Sequence, residues 1–132
     1  MPSSLKVGVA EMVSKARSKI TQIDAADVMA RLQDDDVVIV DLRDIRERQR
    51  DGFIPNSFHC PRGMAEFWVD PDSPYYKDIF DRDATFIFHC ASGWRSALTV
   101  ATLVDMGMDN IAHITDGFAS WKKAGGPIEQ AE

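Results

Sequence analysis

The side chains in this chain best suited to chemistry are Cys90 and Arg95, which lie in Cys90-Ala91-Ser92-Gly93-Trp94-Arg95-Ser96. The stretch follows Thr85-Phe86-Ile87-Phe88-His89, an apolar run that reads as a buried strand, and precedes residues 97–106, which read as a buried helix. A cysteine where a parallel strand gives way to a helix sits at the carboxyl edge of an open α/β sheet, where such folds bind ligands. Ala91, Ser92 and Gly93 are small, and Gly93 can take a positive φ, so the backbone can curl around the sulfur. A loop curled that way points its N–H groups inward, and the helix that follows adds free N–H groups and its dipole. Arg95 adds a permanent positive charge at the helix mouth. These features favour a thiolate over a thiol and hold an anion beside it. The expected chemistry is nucleophilic attack by Cys90 on an anionic substrate.

The plainer reading is an inert buried thiol, since free cysteine is often simply a small core residue. The charge pattern weighs against it. Residues 84–104 contain no acid, although the chain holds 21 Asp plus Glu against 15 Lys plus Arg.

The 132 residues suffice for one domain with a real core and are too few for two. Hydrophobic residues make up 45 %, which argues against disorder. A net charge of −6 argues against nucleic acid or an anionic membrane as the main partner. Two cysteines, Cys60 and Cys90, make no disulfide framework. Met1-Pro2-Ser3-Ser4-Leu5-Lys6 lacks the apolar run of a signal peptide, and no stretch reaches membrane-spanning length. A reducing cytoplasm is the expected location, and it would keep Cys90 free to react.

The elements that must position the loop follow from periodicity. Residues 7–19 carry Val9, Met12, Val13 and Ala16 at helical spacing, with Lys15, Arg17 and Lys19 outside the apolar stripe. Residues 20–23 read as a short strand. Asp24 then reads as an N-cap with Asp27 three positions on, and Ile23 and Val28 as a staple over it. That helix turns Val28, Met29 and Leu32 inward and ends in the acidic turn Asp34-Asp35-Asp36. Residues 37–42 form a run that is apolar except for Asp41, the mark of a parallel strand covered on both faces. Residues 45–49 make a short charged helix stopped by Gly52, and residues 57–60 a short strand closed by Pro61. Phe67, Trp68, Tyr75 and Tyr76 lie in an irregular segment and either wall a pocket or cover a sheet edge. Residues 111–114 form the last strand, and Thr115 or Asp116 caps a final helix that carries Phe118 and Trp121. Strands alternating with helices predict an α/β fold with a parallel sheet. Residues 1–19 form a helical extension, 20–128 the domain and 129–132 a tail.

Three separated pieces resemble the rhodanese (sulfurtransferase) family over roughly residues 20–128. Val38-Ile39-Val40-Asp41-Leu42-Arg43, with Gly52-Phe53-Ile54-Pro55-Asn56-Ser57, is similar to its strand, Asp-x-Arg and Gly-His-Ile-Pro-Gly-Ala signature. Phe53 and Asn56 stand where that signature has His and Gly. Cys90 to Ser96 resembles the active-site loop, and Asp116-Gly117-Phe118-Ala119-Ser120-Trp121 the terminal Gly-Gly-x-x-x-Trp element. The resemblance implies a five-stranded parallel sheet with helices on both faces. It implies that Cys90 takes a sulfane sulfur from thiosulfate or a persulfide donor, holds it as a persulfide, and passes it to a thiol or cyanide acceptor. Ala91, Ser92, Gly93, Trp94, Arg95 and Ser96 would then form the substrate cradle, with Arg95 on the donor's oxyanion. Asp41 and Arg43 would brace the loop. No cofactor and no metal is implied. A protein could also serve as sulfur acceptor, and oligomeric state is left open.

Other functions are weighed against this one. A phosphatase or arsenate reductase uses the same fold, but with five residues between Cys and Arg where this chain has four. A non-catalytic binding module is the fate of such domains that lose the cysteine, which is present here. The pairs His59-Cys60 and His89-Cys90 suggest a metal or redox site. Strand alternation, however, sends neighbouring side chains to opposite faces, which leaves His59, His89 and His113 as expected sheet histidines.

Overall fold

The computed structural model describes residues 4–131. Five strands, β1 (Thr21–Ile23), β2 (Val37–Asp41), β3 (Phe58–His59), β4 (Thr85–His89) and β5 (Ile111–Ile114), form one sheet in the order β1-β5-β4-β2-β3. Every pairing is parallel. α1 (Val9–Arg17) precedes them, α2 (Ala25–Ala30), α3 (Ile45–Asp51), α4 (Ala65–Val69) and α5 (Trp94–Asp105) run between them, and α6 (Gly117–Lys123) follows the last. The expected α/β fold with a five-stranded parallel sheet is what the chain adopts.

The unbroken apolar runs are explained by what covers each face. Val38, Val40, Phe86 and Phe88 point to the side of α4 and α5, where they meet Ala65, Val100 and Leu103. Ile39, Ile87 and Ile114 point the other way, onto Val28 of α2 and Phe118 and Trp121 of α6. Burying side chains of this size stabilises the fold by roughly 1.5–3 kcal/mol each. α1 adds a further layer on the outside of α5, through Val13 and Ala16 against Ala97 and Ala101. Because the strands are parallel, the ends of β2, β4 and β5 open onto one edge, and Leu42, Cys90 and Thr115 lie there together.

Several local expectations change. Asp24 occupies the N-cap position of α2, but its side chain makes no capping bond, and its carbonyl starts the helix by accepting from the Val28 N–H at 3.1 Å. That helix ends at Ala30, short of the acidic turn. α3 reaches Asp51 and has a true capping box, with the Asp44 side chain accepting from the helix backbone and Glu47 from the Asp44 N–H. α5 begins at Trp94, three residues before the expected start, so the second half of the cysteine loop is already helical. Asp116 precedes α6 with φ +60° and no capping bond. Asn56 has φ +64°, which explains how it stands where the signature carries Gly, since Asn tolerates that region. Of the aromatic segment, Trp68 packs on Phe58, and Phe80 on Phe58, Phe86 and Phe88, which covers the β3 side of the sheet. Phe67 and Tyr75 stay exposed and meet edge to face. Glu129, in the expected tail, pairs with Phe53 as an antiparallel bridge. Residues 1–3 and 132 of the extension and tail lie outside the described residues.

Candidate active site

The cysteine loop is shaped from its far side. The first turn of α6 donates to its carbonyls, Phe118 N–H to Cys90 O at 2.8 Å and Ala119 N–H to Ala91 O at 3.0 Å. Gly117, at φ +64°, lies so close to those carbonyls that a Cβ there would have no room. With its carbonyls tied outward, the loop turns N–H groups inward. Gly93, at φ +96°, donates to Cys90 Sγ at 3.1 Å, and the Ser96 N–H donates at 3.4 Å. Cys90 itself is buried.

Behind the sulfur runs a polar chain that the sequence did not reveal. Cys90 Sγ lies 3.6 Å from Ser96 Oγ, which is 2.8 Å from His113 Nδ1. His113 Nε2 lies 2.9 Å from Gln22 Oε1. The Gln22 oxygen can only accept, so Nε2 carries the hydrogen and Nδ1 accepts from the Ser96 hydroxyl. Burial pushes the His113 pKa down to about 4, and the positive charge of Arg17 pushes the same way.

Arg95 departs from expectation. It is not a bare charge at the helix mouth: its two terminal nitrogens donate to Glu47, at 2.8 and 3.0 Å. The hydrogen bonds to Glu47 hold the Arg95 pKa up, and the same bonds hold the Glu47 carboxyl below its ordinary value. The acid comes from 48 positions away. β2 neighbours β4, so the helix that follows β2 begins beside the loop that follows β4. A stretch free of acids in sequence is therefore not a space free of them.

Asp41 and Arg43 are both fully buried. Arg43 donates to both Asp41 oxygens, Nε at 3.0 Å and Nη2 at 2.8 Å, and also to Gly52 O at 2.8 Å. Its guanidinium lies 4.1 Å from the centre of the Phe118 ring. Arg48 adds a bond of 2.9 Å to Asp41. Burial alone would raise the Asp41 carboxyl, but the bonds and charge of Arg43, with His89, outweigh it and hold it well below the ordinary carboxylate range. The pair thus links the end of β2 to the turn at Gly52 and to α6, whose first turn ties the cysteine loop. His59 bonds the Arg43 carbonyl through Nε2 at 2.6 Å. His89 is less settled than expected. Its Nε2 is buried without a hydrogen-bond partner, 3.7 Å from Asp41, and burial pushes its pKa down.

The remaining predicted residues surround this core. Ala91 is half-buried, Ser92 exposed, and Trp94 44 % exposed on the first turn of α5. Ala91, Arg43 and Phe118 help to line a shallow hollow of 180 Å³ on one side of the loop. Arg95, Arg43 and Arg62 share one of 250 Å³ on the other. Sequence reading missed Glu47, His113 and Arg17. The Asp44-x-x-Glu47 pattern was a capping-box signal for the first, and the position of Arg17 beside Ala16 was a weak signal for the last. Nothing local marks His113.

The chain is similar to several known proteins. A family model, the rhodanese-like domain, matches residues 24–124. The chain is 30 % identical over 101 residues to the thiosulfate sulfurtransferase GlpE of Actinobacillus succinogenes, covering 76 % of this chain and 82 % of that one. It is 28 % identical over 109 residues to the thiosulfate sulfurtransferase GlpE of Glaesserella parasuis, covering 83 % and 93 %. Among solved structures, a protein of unknown function from Rhodopseudomonas palustris, described as a possible tyrosine phosphatase, is 52 % identical with a TM-score of 0.93, covering 98 % of this chain and 99 % of that one. A rhodanese-like domain protein from Staphylococcus aureus is 26 % identical with a TM-score of 0.66, covering 86 % and 100 %. With the model matched across most of its length, from α2 through α6, this chain belongs to the rhodanese-like domain family.

Proposed function

We propose that the chain is a sulfurtransferase that carries sulfur on Cys90, with thiosulfate or a persulfide as donor. In the first half-reaction the Cys90 thiolate attacks the donor's sulfane sulfur. A sulfur–sulfur bond forms at Cys90, the donor's own sulfur–sulfur bond breaks, and sulfite from thiosulfate, or the parent thiolate from a persulfide, leaves with the electron pair. In the second, a thiolate or cyanide attacks the terminal sulfur and Cys90 leaves as a thiolate. This is nucleophilic catalysis through a covalent intermediate. The chain and its two substrates suffice, with no cofactor. An acceptor carried on a small thiol or on a protein fits equally, and a reducing cytoplasm suits a thiol kept ready.

The observation that carries the reading is the pair of N–H groups on the sulfur, from Gly93 at 3.1 Å and Ser96 at 3.4 Å. Donors preset at the atom where negative charge resides stabilise thiolate and persulfide alike. Arg95, with two of its nitrogens on Glu47, has further N–H groups for the donor's oxyanion. Asp41 and Arg43 support the loop from beneath.

The Rhodopseudomonas palustris relative raises a second reading, phosphate ester hydrolysis by the same cysteine. The loop favours sulfur: its donors already close on a single atom, whereas a phosphate needs them spread around several oxygens. Steady-state assays separate the two. Sulfur transfer from thiosulfate to cyanide, with no measurable hydrolysis of an aryl phosphate, is the expected result. Aryl phosphate turnover without sulfur transfer would overturn the proposal.

A further inference from the structure

Arg17 closes α1, outside the stretch of residues 24–124 that matches the family model. The packing of Val13 and Ala16 on α5 fixes where its side chain goes. The sequence placed it with Lys15 and Lys19 on a polar face, but it is turned to the cysteine loop. Arg17 Nη2 lies 3.5 Å from where a Cβ on Gly93 would stand, and the Gly93 N–H is 3.1 Å from Cys90 Sγ. Those two links, joined across one glycine's bonds of about 2.5 Å, put the guanidinium within about 9 Å of the sulfur. Its Nε is buried with no hydrogen-bond partner, and no carboxylate among the described residues lies within ion-pair distance of it. Its charge already acts on His113, on the other side of Ser96. Arg95 also reaches the Cys90 side chain, but its charge is shared with Glu47 in an ion pair of 2.8 Å.

We infer that Arg17, rather than Arg95, supplies the uncompensated positive charge of the Cys90 site, stabilising negative charge on the sulfur and favouring anionic reagents there. It acts through space on the sulfur and is a positioning residue. The inference rests on the reading of Cys90 as the reactive thiol. The other titratable or charged groups around the loop are Arg95 with Glu47 from α5 and α3, His113 from β5, His89 from β4 with Asp41 and Arg43 paired behind it, Asp51 and Lys122 beside Ala91, and Asp116 ahead of α6. Asp41 and Glu47 are each paired with an arginine, and the charge of Asp116 opposes that of Arg17 at His113.

The test compares two alkylating reagents of similar size, anionic iodoacetate and neutral iodoacetamide, on Cys90, with the modified peptide identified by mass. Wild type, Arg17→Met, Arg17→Gln and Arg17→Lys are compared, each with a thermal melt as a fold check. Removing the charge should lower the iodoacetate-to-iodoacetamide rate ratio about three- to tenfold, as expected for one charge at this range in a partly screened setting. Arg17→Lys should keep most of the wild-type ratio. If Arg17→Met fails to fold, Arg17→Gln carries the same comparison. A role in packing alone would slow both reagents equally, and an unchanged ratio in a folded Met or Gln variant overturns the inference. Uptake of sulfur from thiosulfate tests the parent reading separately. An unchanged ratio with normal uptake removes only the role of Arg17. A Cys90 that takes neither reagent in wild type overturns both.

Discussion

The chain contains the dipeptide His-Cys twice, and the two copies flank the same strand. His59 and His89 are both register partners of Asp41, in β3 and β4 on either side of β2. The cysteines that follow are buried alike, Cys60 at 0 % and Cys90 at 1 % exposed. Around the sulfurs everything else differs. Cys60 Sγ faces an acceptor, the Pro61 carbonyl at 3.8 Å. Burial pushes its thiol pKa up to about 12, with the charge of Glu66 adding to it. Cys90 Sγ faces donors, the N–H groups of Gly93 and Ser96. The cause lies in the residues that follow. Proline has no N–H to offer and cannot curl back, whereas Ala91-Ser92-Gly93 can do both. Burial is common to both cysteines, so the polarity of the groups around each sulfur is what separates them.

The largest expected effect breaks this comparison outright. Cys90→Ser should lower sulfur transfer by on the order of a thousandfold or more, as removal of a nucleophile does. Cys60→Ala should keep turnover within about threefold and cost about 1 kcal/mol of stability for a small buried cavity. A Cys60→Ala variant that lost all transfer, in a folded protein, would make the two cysteines partners rather than opposites.

Next comes the strand they share. Asp41→Asn leaves the buried Arg43 charge without its counter-ion, which should destabilise the fold by about 3–5 kcal/mol in urea unfolding. The sign with pH follows from the depressed Asp41 carboxyl. Its contribution is fully present above the ordinary value of 3.8 and is lost only as pH falls through the lower folded value. An Asp41→Asn variant as stable as wild type at neutral pH would deny the pair its bracing role.

A smaller effect separates the two sulfur environments by their histidines. His113 has its pKa pushed down from 6.5 to about 4 in the folded chain, so below 6.5 the unfolded chain takes up a proton that the folded one refuses. Wild-type stability should therefore fall as pH drops from 6.5 toward 4. His113→Gln should flatten part of that slope, leaving the part due to His89, whose pKa burial also lowers. Identical slopes in the two proteins would mean that His113 is not held neutral behind Ser96.

Much of the fold was legible because parallel strands announce themselves. Residues 37–40 and 86–88 could be apolar throughout only if both faces were covered, and they are. The cysteine loop was legible from small residues at a strand end. The ends of elements were not, because α5 starts at Trp94 by hydrogen bonds that close only once Gly93 takes its positive φ. Partners brought by topology were hidden as well. Glu47 reaches Arg95 because two strands are neighbours in the sheet and not in sequence, and His113 reaches Ser96 across the β5–α5 contact. Arg17 looked like one more solvated charge until the packing of α1 turned it inward.

The most direct test of the central claim is the mass of the protein after incubation with thiosulfate, followed by peptide mapping without reductant. The account predicts one added sulfur atom, found on the peptide that contains Cys90 and absent from the peptide that contains Cys60, and removed by cyanide. Absence of added sulfur on Cys90, or its appearance on Cys60 instead, would contradict the claim that the donors around the sulfur, and not its burial, make the nucleophile.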